Sequence, residues 1–146
     1  MEKESKEKQA KEKEEKRIIQ ERGLQLLALD QELRRIEEQY AILEQNIISL
    51  ELTKQNLNEV KKIKDKEILA NLAEGIFVMA KALENDKVLI NVGKNVILEK
   101  SSEDAKKIIE ARIEELSMLK TILSNEAQKI LNEIKTIEEE IKNLQS

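Results

Sequence analysis

EILANLAEGIFVMAKALENDKVLINVGKNVILEK, residues 67–100, breaks the helical rhythm of the chain around it. Ile68, Ala70 and Leu72 alternate. After Gly75 comes the apolar run Ile76-Phe77-Val78-Met79-Ala80, rich in strand formers. Glu84-Asn85-Asp86 is a turn signal, Val88, Ile90 and Val92 alternate again, and Gly93-Lys94-Asn95 marks a second turn before Val96-Ile97-Leu98. The spacing predicts four short strands in two hairpins. An isolated hairpin is marginal in water, and open edges invite pairing, so this segment is expected to assemble with something else.

On either side the period is that of a helix. Leu26, Leu29, Leu33, Ile36, Tyr40, Leu43, Ile47 and Leu50 follow a strict 3,4 spacing that continues through Lys54 to Leu57. Beyond the strands, Ile109, Ile113, Leu116, Lys120, Leu123, Ala127, Ile130, Ile134, Ile137, Ile141 and Leu144 repeat it. Heptads of this kind are the seam of a coiled coil. A helix over 18–64 would extend about 70 Å at ~1.5 Å per residue and needs a partner for its stripe. Ser101 and Asp104 have the spacing of a helix cap, with an acidic residue at the positive end. A compact connection makes the two helices antiparallel. The expected fold is α+β, mainly α: a long antiparallel coiled-coil hairpin with two small β-hairpins at the helix junction, oligomerising through the β-region. The segments are 1–17, a charged extension; 18–64, a helix; 65–100, the β-hairpins; and 101–146, a second helix. Pairing the ends of the two stripes sets Leu26 near Leu144 and Leu50 near Lys120.

Composition narrows the function. Among 146 residues 38% are charged and 1% aromatic, with no Cys, His or Pro, which suits an elongated helical protein rather than a thick core. Disulfides, thiolate or imidazole metal ligation and triad catalysis are excluded. No cofactor is expected, and the chain is not expected to be an enzyme. Residues 1–17 hold seven basic and six acidic side chains, so no basic patch stands alone and nucleic acid is not an expected partner. The longest purely apolar run, Ile76 to Ala80, is far too short for a membrane span, and the N-terminus has no signal-peptide pattern, so a cytoplasmic location is expected. Val92-Gly93-Lys94-Asn95 lacks the Gly and Ser/Thr positions of a phosphate loop and reads as a hairpin turn.

Helix, two hairpins, helix is the plan of prefoldin subunits. Glu67-Ile68-Leu69-Ala70-Asn71-Leu72 resembles the first strand of alpha-class prefoldins, and Gly75-Ile76-Phe77-Val78 the strand after it. Val88 to Gly93 and Val96 to Lys100 resemble the second hairpin. Glu103-Asp104-Ala105 and Arg112 to Leu116 resemble the opening of the last helix. Two hairpins mark the alpha class. The family often has Pro where Ala70 stands and Gly near Glu74, which leaves the form of the assembly open between a hetero-hexamer, a homo-oligomer and a filament. The resemblance implies an ATP-independent holdase that captures unfolded proteins and passes them to a group II chaperonin. Beta-class prefoldin subunits, copies of this chain, or both would be its assembly partners. A self-assembling structural or filament-forming scaffold is the alternative.

Two sets of residues follow as candidate sites. Leu24 and Leu27 lie off the seam, and with Leu26, Ile137, Ile141 and Leu144 they are the expected client-binding tip. Ile68, Leu72, Ile76, Val78, Val88, Ile90, Val96 and Leu98 are the expected subunit interface. Ile42, Ile48, Leu52, Met118, Leu119, Ile122 and Leu131 are also off the seam; for Leu52, Met118, Leu119 and Ile122 packing against the β-body or a neighbouring subunit is expected. Lys54 and Lys120, at seam positions, either control register or reach water at a splayed junction.

Overall fold

The structure, a computed structural model, describes residues 1–63, 65–83 and 86–145, with the side chain of Lys61 left aside. Helix α1 runs Glu2–Leu57, followed by a 3-10 turn at Val60–Lys62. Strands β1 (Glu67–Ala73), β2 (Ile76–Lys81), β3 (Lys87–Gly93) and β4 (Val96–Ser101) come next, and α2 runs Ser102–Gln145. The chain divides into two compact units: 1–43 with 119–146, and 44–118.

In the first unit α1 and α2 pair antiparallel, Arg22 meeting Glu140 and Tyr40 meeting Lys120. All the seam residues predicted there are half-buried or better, with Ile36 and Ile137 buried. The helix stays unbroken through residues 2–17, whose side chains are almost all exposed. Glu and Lys three and four apart can hold such a segment helical without a packed face. The register differs from the expected one. Residues of α1 face residues of α2 about one heptad earlier than matched stripe ends would give. A stripe of period seven fits itself equally well after a slip of seven, so the apolar pattern could not choose. The polar contacts discriminate: Arg22 with Glu140 at 3.1 Å, and Lys120 with its ammonium 5.1 Å from the Tyr40 ring centre.

In the second unit α1 ends at Leu57, short of the expected residue 64, because its last turn tightens to i→i+3 bonds (Asn58 N to Gln55 O, Ile63 N to Val60 O). Asp65 then takes a left-handed backbone conformation, at φ 61. The predicted turn at Glu84-Asn85-Asp86 lies mostly outside the described residues, Asp86 alone being within them. β1 pairs with β2 and β3 with β4, both antiparallel, as two separate two-stranded sheets. The sheets repeat one another residue for residue. Glu67 pairs with Lys81 as Lys87 does with Ser101, and Asn71 with Phe77 as Asn91 does with Ile97; the bulge falls at Leu72 in one and at Val92 in the other.

The second hairpin is tied to the helices. Val88 and Ile90 line an open groove of about 350 Å³ with Leu50, Leu57, Ala105 and Ile109, and Arg112 Nη2 donates to the Asn91 carbonyl at 2.6 Å. Ser101 Oγ accepts from the Asp104 amide at 3.1 Å, the predicted cap, and Ser102 and Ala105 beside it are buried. Lys54 reaches Glu110 on α2 at 3.7 Å and Glu51 on its own helix at 3.9 Å.

Candidate functional site

The first candidate surface is the outer stretch of the helix pair in the first unit. Its seam members Leu26, Ile141 and Leu144 are half-buried, while Ile137 is only 7% exposed, so it supports the surface from beneath. Leu24 and Leu27, off the seam, are 69% and 57% exposed. Near them Arg22, Gln25, Leu29, Asn132, Thr136 and Ile137 border an open groove of about 560 Å³. The register brings Ile18 and Ile19, both half-buried, into the last turns of the pair. They were missed as site residues because a mixed-charge run precedes them and no second apolar heptad lies upstream. Arg17, hydrogen-bonded to Glu14 and close to Glu21, holds its proton more firmly than a free guanidinium, so the charge beside this surface is fixed.

The second surface is the pair of hairpins. Residues i and i+2 share a face of a strand. Ile68 and Ala70, with their partners Ala80 and Val78, form one face of the first hairpin; Val88 and Ile90, with Lys100 and Leu98, form the matching face of the second. Ile68, Val88 and Ile90 are half-buried, whereas Leu72, Ile76, Val78, Val96 and Leu98 are exposed. The opposite faces carry exposed apolar residues too, among polar ones such as Asn71, Asn91 and Glu99. Leu69 with Met79 and Phe77 on one hairpin, and Leu89 (76% exposed) with Ile97 on the other, were overlooked because alternation selects one face only. Their signal is in the sequence: consecutive apolar residues mark a strand expecting cover on both sides.

Of the remaining off-seam residues, Ile42, Leu119 and Ile122 border an apolar groove of about 320 Å³ in the first unit. Ile48, Leu52, Met118 and Leu131 are likewise exposed, so within one chain Leu52, Met118, Leu119 and Ile122 are not covered by packing. Among the described residues, no group of acidic side chains converges as a metal site, and no helix is long and apolar enough to cross a membrane.

Two long helices bracketing two hairpins is a plan with known relatives, and the family model described as prefoldin subunit matches residues 29–146. The chain belongs to the prefoldin family. The prefoldin alpha subunit of Thermofilum pendens is 33% identical over 87 residues, 59% of this chain and 67% of that protein. That of Thermococcus onnurineus is 34% identical over 104 residues, 65% of this chain and 71% of the other. Among prefoldins it is therefore an alpha-class subunit. The fold matches a cryo-EM structure of filamentous PFD from Methanocaldococcus jannaschii with a TM-score of 0.72 and 22% identity, over 79% of this chain and 96% of that one. A prefoldin subunit has a chaperone-type role and assembles with other prefoldin subunits, which gives the exposed hairpins their context.

Proposed function

We propose that the chain is an ATP-independent holdase subunit. It grips unfolded polypeptide at the outer end of its helix pair and passes it to a group II chaperonin, after assembly through the hairpins with beta-class prefoldin subunits, copies of itself, or both. The observation that carries this reading is the exposure of Leu24 and Leu27 on the stretch of the helix pair that also holds the half-buried Leu26, Ile141 and Leu144, where the end of α2 can fray. Each such contact is weak, and several subunits gripping one chain supply avidity in place of a deep pocket. The mixed-charge residues 1–17 keep this end soluble. A scaffold or filament is the second reading, favoured by the open edges of both hairpins and by the likeness to a filamentous structure.

The test is suppression of aggregation of a heat-denatured protein, with and without ATP. Protection is expected to be equal in both, and to be largely lost in a Leu24→Ser, Leu27→Ser, Ile141→Ser, Leu144→Ser variant whose oligomer size is unchanged. Full protection by that variant would place clients elsewhere, and strict ATP dependence would end the holdase reading.

A further inference from the structure

The 560 Å³ groove of the helix pair opens where a row of cross-helix charge partners has a gap. Glu126, Glu133 and Glu140 recur every seven residues, so they stand along one edge of α2. At one end of the row Arg22 of α1 meets Glu140 at 3.1 Å. At the other, Arg35 is hydrogen-bonded to Glu32 on its own helix and also feels the charge of Glu126. Between them α1 presents Gln25, Ala28 and Leu29 to the groove that Glu133 borders, and none of these is a cation. Glu133 is exposed and makes no ion pair with another described residue. The short side chain of Ala28 does not cross to α2, and the groove stays open there.

The lining beneath is apolar: Leu29 is half-buried and Ile137 buried. Lysine and arginine lay a long aliphatic stem on apolar surface while the charged head stays in water. Resting on the reading of this end as a client site, we propose that the groove is a socket for a lysine or arginine side chain of an unfolded polypeptide. The stem lies over Leu29 and Ile137, and the head takes the place of the missing cation beside Glu133. Arg22 is already engaged by Glu140, so the charge left to an incoming side chain is negative. The exposed Leu24 stands four residues before Ala28 on the same face of α1, with a rise of about 6 Å between them. Two residues of extended chain span about 6.6 Å and point their side chains the same way. The segment that fits therefore carries an apolar residue and a lysine or arginine two positions apart. The apolar one covers Leu24 while the cation enters the socket, so clients are chosen by a basic-apolar pattern and not by apolar content alone.

Fluorescence anisotropy on the full chain tests it with labelled peptides that repeat Leu-Ser-Lys, Leu-Ser-Gln or Leu-Ser-Glu. The lysine peptide is expected to bind about fivefold tighter than the glutamine peptide, the upper range for an exposed ion pair, and the glutamate peptide weakest. Glu133→Gln is expected to bring the lysine and glutamine peptides level. Ala28→Arg should do the same by supplying the cation from within the chain, and its melting temperature should not fall. Glu138→Gln removes the same charge from a position outside the groove's lining and should keep the preference. High salt should shrink the preference in wild type. Equal binding of the lysine and glutamine peptides by wild type, a preference that survives Glu133→Gln, or one lost equally in Glu138→Gln would each overturn the socket. Protection of a heat-denatured protein, measured on the same samples, separates the two ideas. Protection with no lysine preference defeats the socket alone, whereas neither protection nor peptide binding defeats the holdase reading and the socket with it.

Discussion

Gly75 matches Asn95 as the second turn residue of its hairpin, whereas Gly93 matches Ala73 at the strand end, and the two glycines differ in backbone conformation. Gly75, at φ 71, is in the left-handed region that other residues enter at some cost, whereas Gly93, at φ 126, is where a side chain is strongly disfavoured. In the second hairpin, Lys94 and Asn95 already take φ 49 and 61 as the two central turn residues, a primed turn that suits the strand twist. Asn91 Oδ1 accepts from the Gly93 amide at 2.9 Å and holds the bulge. Gly93→Ala should therefore cost about 1–3 kcal/mol and Gly75→Ala about 1 kcal/mol or less. Amide hydrogen exchange over residues 87–101 should quicken in the first variant while α1 and α2 stay protected; equal effects of the two substitutions would contradict this account.

At the level of elements, the seam raises the question of what its lysines do. Lys54 reaches Glu110 and Lys120 sits over Tyr40, so each polar seam position has a partner on the facing helix. Such residues cost stability and specify register. Replacing both with Leu is expected to raise the melting temperature by several degrees, consistent with roughly 1–2 kcal/mol. The same change should allow a one-heptad slip. Spin labels at Gln25 and Thr136, which border one groove, should then report a second distance that wild type lacks; a single distance in the double variant would deny the lysines this role. The same pair marks how far the elements were legible in the sequence. The heptads, the four strands and the Ser101 cap all follow from local period and local chemistry. The register does not, since slipping Leu26 or Ile137 by seven leaves an equally apolar seam and only a few polar contacts differ. The second face of the hairpins was legible only in part: the unbroken apolar runs through Leu69 and Leu89 are in the sequence, while alternation alone assigns both residues to solvent.

Among the described residues four apolar side chains are buried, Ile36 and Ile137 in the first unit and Ala105 and Ile109 in the second, so each unit depends on many half-buried contacts, set in the first unit in a line along the helix pair. Residues 2–17 add to helix length and almost nothing to that line. Deleting them should leave the melting temperature within about 2 °C while helical ellipticity falls by the share of those residues, and a large drop in melting would show that they pack on something. The client-tip expectation depends on the outer helix ends opening first. Arg22 and Glu140 are much farther apart in the chain than Lys54 and Glu110, so the pair joining them closes a longer loop. The antiparallel seam also has a consequence for synthesis. All of α1 leaves the ribosome before any of the 44 residues of α2. At about 5–20 residues per second, its apolar stripe stays bare for several seconds while the strands and the second helix are made. During that interval the nascent subunit has the exposed, unpartnered character of an unfolded client, and it should itself need protection from the ribosome-associated factors that serve other new chains.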